Sequence, residues 1–210
     1  MPNPADFDRH SPSVRNFTAV NDEYHIMKHS SGLILFWIMA GLFVAGIAGC
    51  KRTAENSVTH FYIVRHAERY PGFEGSLTWY GRLRAGDLMR KLQDSGIGKI
   101  YVTPFVRTVQ TADSLRLLQR IDTACYLADT SGRDLLRSLT VHKDYGKRIL
   151  IVGHANTLPG ILRSLGVKEP LPAFPDTVYN RLFEVVNDHG KVSLRSSSYG
   201  RPSLPPAPAP

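Results

Sequence analysis

Cysteine is scarce: Cys50 and Cys125 are the only two in 210 residues. That is too few for a disulfide scaffold, and neither has the close Cys/His neighbours that a zinc site needs. Blocks of like charge are missing as well. The net charge is +8, yet lysines and arginines are scattered in ones and twos, unlike the basic arm of a nucleic-acid binder. No internal repeat and no second folded domain is visible. With 42 % hydrophobic and 21 % charged residues, a wholly disordered chain is excluded. Neither a nucleic-acid partner, a metal nor a cofactor is expected.

What the sequence does contain is one long apolar run. From His29 to Cys50, 22 residues carry no Asp, Glu, Lys or Arg. Roughly 20 apolar residues cross a hydrocarbon core, whereas a cleaved export signal has a basic start and an apolar stretch of about 7 to 15 residues. Met27-Lys28-His29 makes a short basic start. Residues 1–26 hold Asp6, Asp8, Asp22 and Glu23 against Arg9 and Arg15, an acidic leader unsuited to that role, so Met27 is read as the initiator. The run ends in Ile47-Ala48-Gly49-Cys50, which resembles the lipobox of bacterial lipoprotein signals. The resemblance implies that Cys50 is lipidated as the mature N-terminus and that the domain is anchored to the membrane of a bacterial cell envelope, outside the cytoplasm. An uncleaved signal anchor is the alternative. The expected organisation is a leader or extension at 1–26, a signal peptide or anchor at 27–49, a linker at 50–58, one domain at 59–200 and an extended Pro-rich tail at 201–210.

Within the domain, strand and helix patterns alternate. Phe61-Tyr62-Ile63-Val64 is a buried strand by composition, followed by the Pro71-Gly72 break. Thr78 can cap a helix whose inward face is Ala85, Leu88, Met89 and Leu92. Lys99 to Thr103 is a second strand, Pro104 stands where a helix can begin, and Val109 to Leu118 has helical spacing. A short strand is expected at Ala124 to Ala128, then a helix from Ser131 or Asp134 through Leu135, Leu136 and Leu139. Arg148 to Val152 is a buried strand, with a helix over Leu158 to Leu165. Arg181 to Val186 and Lys191 to Arg195 form a closing hairpin about Asp188-His189-Gly190. These elements predict a three-layer α/β fold: a mostly parallel sheet with helices on both faces, and a crevice beyond the strand carboxyl ends.

Two histidines fall at such strand ends, in Val64-Arg65-His66-Ala67-Glu68 and in Gly153-His154-Ala155-Asn156-Thr157. A third end leads through Pro104 to Arg107. The topology therefore aims two histidines and two arginines at one crevice, a set suited to a phosphoryl group. Guanidinium forks match anionic oxygens, and a neutral imidazole can attack phosphorus. The arginines disfavour an imidazolium, so His66 is expected to stay neutral as a nucleophile must, with His154 donating to the transferring group's oxygens. Asn156 and Thr157 are expected to cap the helix that follows. His60, His142 and His189 have no such company and read as surface or turn residues.

Arg65-His66-Ala67-Glu68 resembles the Arg-His-Gly or Arg-His-Ala signature of the histidine phosphatase superfamily, the phosphoglycerate-mutase-like proteins. Further matches are Leu77-Thr78 with Gly81 and Arg84-Ala85, Arg107-Thr108 with Gln110-Thr111-Ala112, and Gly153-His154 with Asn156-Thr157. The resemblance covers about residues 60 to 165. It implies a phosphoglycerate-mutase-like fold, a phosphorylated histidine at His66, and a phosphate pocket of Arg65, Arg107 and His154. Many relatives take a general acid from the segment after the Arg107-type helix, and no clear match stands there. Asp129 is the best positional candidate and Glu68 the other; if neither serves, good leaving groups are favoured, phosphohistidine and acyl phosphates among them. The expected activity is hydrolysis of phosphomonoesters or of phosphorylated protein side chains, the partner being a small phosphorylated substrate or a phosphoprotein. A mutase usually needs long covering insertions, and only 36 residues separate Ala112 from Ile149. It remains the nearest rival, with a non-catalytic phosphate-binding module behind it.

Overall fold

A computed structural model describes residues 57–72, 75–168, 171 and 174–203. Cys50 and the apolar run before it lie outside them. Among the described residues, no helix is long and apolar enough to cross a membrane. The strands are β1 (Thr59–Arg65), β2 (Lys99–Val102), β3 (Thr123–Cys125), β4 (Arg148–Gly153), β5 (Arg181–Asp188) and β6 (Lys191–Ser198). The helices are α1 (Trp79–Leu92), α2 (Val106–Gln119), α3 (Arg133–Val141) and α4 (Leu158–Ser164).

One six-stranded sheet has the order β3-β2-β4-β1-β5-β6. Its first four strands are parallel; β5 pairs antiparallel with β1, and β6 pairs antiparallel with β5. Side chains alternate across each strand, so Phe61 and Ile63 pack with Leu135 and Leu139 of α3 and Ile161 and Leu162 of α4. Tyr62 and Val64 pack on the other face with Leu88 and Leu92 of α1 and Leu115 of α2. Two covered faces explain why β1 and β4 read as unbroken apolar runs.

Two of the element ends that differ from those expected have a visible cause. Pairing in β3 stops at Cys125, two residues after it starts, because Tyr126 turns inward and its hydroxyl donates to Val152 O at 3.1 Å. Helix α3 begins at Arg133 after Gly132 in the left-handed region, φ 72°, so neither Ser131 nor Asp134 is its N-cap. Thr78 does cap α1, accepting from Gly81 N at 3.1 Å. The β5–β6 turn puts His189 and Gly190 at φ 51° and 85°, the backbone a tight hairpin needs.

Strand register then places the site. Arg65 lies opposite Gly153 in the parallel β1–β4 pair, and His66 N extends the ladder to Gly153 O at 2.9 Å. The residues after β1 and after β4 therefore leave the sheet side by side, and β2 ends next to them.

Candidate active site

His66 is 4 % exposed and His154 is 7 % exposed. Their ring centroids lie 5.3 Å apart in an edge-to-face arrangement. Nδ1 of His66 is 2.8 Å from Ala67 O. A carbonyl can only accept, so Nδ1 carries the hydrogen and the Nε2 lone pair is uncommitted. Ala67 is itself fixed from α2: its N–H donates to Thr111 Oγ1 at 2.9 Å, and that hydroxyl donates to Arg107 O at 2.7 Å. Gln110 accepts from Leu77 N at 2.7 Å. The Gln110-Thr111 pair thus ties the segment after β1 to the turn that carries Arg107.

Burial lowers the pKa of His66 to about 3, with Arg65, His154 and Arg107 adding to the effect against the Ala67 hydrogen bond. Burial and then Arg107, Arg65 and Arg69 lower that of His154 to about 4. Both rings are neutral at neutral pH. The ring of Phe105 stands edge-on to His154 at 5.3 Å, and the Arg107 guanidinium lies over Phe105 at 4.2 Å. Arg65 is anchored from the segment before β5. It donates to Asp176 O, to Val178 O at 3.5 Å and to Tyr179 Oη at 3.4 Å, and it lies over the Tyr179 ring at 4.1 Å. Burial lowers its pKa.

A cavity of about 720 Å³ is lined by Arg65, His66, Arg107 and His154 together. Arg69, Asn156, Thr157, Asp176 and Tyr179 also line it; Arg69 belongs to the loop after β1 and Asp176 and Tyr179 to the loop before β5, the two loops expected from the sequence to wall the pocket. Thr157 stands at the N-cap position of α4, as expected, but its hydroxyl makes no cap bond there. Instead it accepts from His154 N at 3.0 Å and steadies the turn bearing that histidine. Among the described residues, no three His, Cys, Asp or Glu side chains are grouped to hold a metal ion.

No family model matches the chain, and no match was found among curated proteins. Solved structures match it. The protein histidine phosphatase SixA, solved with tungstate, aligns with TM-score 0.51 at 16 % identity, over 66 % of this chain and 96 % of that one. A mycobacterial glucosyl-3-phosphoglycerate phosphatase aligns with TM-score 0.51 at 12 % identity, over 68 % and 98 %. Bacillus stearothermophilus YhfR gives 0.50 at 17 %, over 65 % and 95 %. The fold is phosphoglycerate-mutase-like.

On this phosphoglycerate-mutase-like frame the two carboxylates singled out in the sequence stand apart from the four cationic and imidazole groups. Asp129 is not at the cavity, although its neighbour Ala128 is. Its carboxylate accepts from Ser131 N at 2.7 Å, Ser131 Oγ at 2.8 Å, Asp134 N at 2.9 Å and Gly132 N. It therefore satisfies the open N–H groups at the start of α3. Burial opposes its ionisation, but these donors together hold its pKa below the usual value. Glu68 faces α1, where Arg84 Nε meets both of its oxygens at 2.9 Å and Nη2 meets Oε1 at 2.6 Å. Arg84 is 5 % exposed, so Glu68 is committed to a buried guanidinium. His60, His142 and His189 lie away from the cavity.

Proposed function

We propose that the chain is a phosphatase that hydrolyses phosphomonoesters or phosphorylated protein side chains through a phosphohistidine on His66. The observation that carries this reading is the His66 ring: its Nδ1 hydrogen is held by Ala67 O, so Nε2 is a neutral lone pair inside an arginine-lined cavity. The phosphoryl group sits between Arg65, Arg107 and His154. Nε2 attacks phosphorus, the bond to the leaving atom breaks, and the leaving atom keeps the electron pair. Fixed guanidinium groups take up the charge on the phosphoryl oxygens with no reorganisation at the moment of reaction. Water then attacks the phosphohistidine, and phosphate departs as His66 recovers its lone pair.

The commitment of Asp129 and Glu68 to helix and guanidinium partners favours substrates whose leaving groups need little help from a protein acid. Phosphohistidine and acyl phosphates are of that kind. The resemblance in fold to a protein histidine phosphatase and to a glucosyl-3-phosphoglycerate phosphatase supports the same reading. The proposed setting is the outer side of a bacterial membrane, with Cys50 as the lipid-bearing residue.

The test uses the full chain in detergent with p-nitrophenyl phosphate, with 3-phosphoglycerate and with a phosphohistidine peptide, beside His66→Ala. The expected result is phosphate release from the aryl ester and the peptide, an acid-labile phosphoryl label on the protein, and loss of both in the variant. Turnover retained by His66→Ala overturns the assignment. Transfer to the glycerate without phosphate release favours a mutase, and binding without turnover a binding module. Cys50→Ser is expected to abolish lipid labelling and membrane retention.

A further inference from the structure

We propose that Thr103, together with Thr108, is a positioning residue that holds the hydrogen of the His154 ring on Nε2, leaving Nδ1 to take up a proton when a phosphoryl group binds. The argument is one of counting hydrogens. Thr108 Oγ1 lies 2.8 Å from Thr103 O and 2.8 Å from Phe105 O. Both are carbonyl oxygens that only accept, so the single Thr108 hydroxyl hydrogen is used there. Thr103 Oγ1 lies 3.0 Å from Thr108 Oγ1, and with the Thr108 hydrogen already spent this bond forms with Thr103 as the donor. Having given its only hydrogen, Thr103 Oγ1 can only accept from the nitrogen on its other side, His154 Nε2 at 3.0 Å. Both threonines are 0 % exposed, so bulk water does not compete for these groups. Nδ1 of His154 makes no hydrogen bond among the described residues. Thr157 fixes the backbone at His154 N, and Phe105 stands against the ring, so the imidazole cannot slide off the relay.

A ring with a bare Nδ1 cannot donate to an anionic oxygen, so it must first gain a proton. The groups facing it are His66 and Arg65 after β1, Arg69 beyond them, and Arg107 of α2. In the free protein these arginines oppose an imidazolium. A bound phosphate cancels their charge, so the proton arrives with a monoanionic phosphoryl group or from water as that group binds. Thr103 then accepts a stronger, charge-assisted bond from the imidazolium Nε2–H. This consequence rests on the phosphatase reading, whereas the tautomer of the free ring does not.

The decisive measurement is a long-range proton–nitrogen spectrum of the His154 ring in the full chain, free and with inorganic phosphate. Hydrogen on Nε2 alone is expected without phosphate, and on both nitrogens with it. Thr103→Val is expected to give mixed tautomers. It should move the basic limb of the kcat profile to lower pH by roughly one unit, a tenfold loss of kcat above that limb, while Thr103→Ser restores both within about threefold. Hydrogen on Nδ1 in the free wild-type ring overturns the proposal, as does a wild-type ring spectrum in folded Thr103→Val. Should Thr103→Val not fold, the wild-type spectrum and Thr103→Ser decide. Failure of the phosphatase reading shows separately, as turnover that survives His66→Ala.

Discussion

Replacing Glu68 by glutamine tests whether that carboxylate belongs to the fold or to the chemistry. Arg84 makes three bonds of 2.6 to 2.9 Å to it, and the arginine side chain is 6 % exposed. Removing one partner of a buried ion pair costs about 3 to 5 kcal/mol because the other charge is left unmatched. Glutamine keeps one acceptor oxygen, so the expected loss is about 2 to 3 kcal/mol, a fall in Tm of about 5 to 10 °C for a domain of this size. Thermal unfolding of the full chain in detergent reads this directly. Below the transition, kcat for p-nitrophenyl phosphate is expected to stay within about threefold of wild type. Paired with Arg84→Met, the double variant should lose less than the two single losses together, because both remove the same interaction. A fall in kcat of about a hundredfold or more at unchanged stability would refute the reasoning, since that is the signature of a lost proton donor.

Asp129→Ala, measured by urea unfolding, should cost about 1 to 2 kcal/mol, the usual loss of a helix N-terminal acceptor, with kcat for the aryl ester little changed; a large kcat defect would restore Asp129 as the acid. The buried histidines set a pH dependence of stability. Their pKa values fall to about 3 and about 4 on folding, so the unfolded chain binds protons first as pH drops below about 6.5. Stability is full above that value. Each ring removes up to about 1.4 kcal/mol per unit between there and its folded pKa, so urea unfolding at pH 7 and pH 5 should show a smaller difference in His66→Asn than in wild type. Gly160→Ala should destabilise strongly, because a Cβ there would stand 1.9 Å from the Thr130 carbonyl oxygen; a thermal midpoint within 1 or 2 °C of wild type would show that the loop yields freely.

The sheet was legible because burial on both faces leaves its trace in every residue of a strand. Phe61 to Val64 and Ile149 to Val152 are apolar throughout, and chain direction alone then brings His66 and His154 to one edge. The arginine cradle was legible for the same reason, since Arg65 closes β1 and Arg107 follows the end of β2 within a few residues. What holds the cradle was not. Arg65 is anchored by carbonyls 111 and 113 residues away, and a backbone acceptor carries no residue signature. Thr157 could be taken for a helix cap because Ser, Thr, Asn and Asp before an apolar run usually are; its use by the His154 N–H depends on the turn that follows β4. Asp129 was picked by position along the chain, and only the fold of residues 129 to 134 shows that its oxygens are already taken.

Arg84 reaches in two directions. While its fork grips Glu68, Nη1 donates to Arg201 O at 2.8 Å, beyond the last strand. The nearest thing to a strut behind the nucleophile is thus a peptide carbonyl from the far end of the domain. Trimming a recombinant version just before that residue, or a protease nick at the same place, would take away that carbonyl and also Ser203 Oγ, which accepts from Tyr179 N at 2.8 Å beneath the ring that braces Arg65. A shortened protein of that kind would melt earlier and, with Arg65 less firmly held, turn over more slowly.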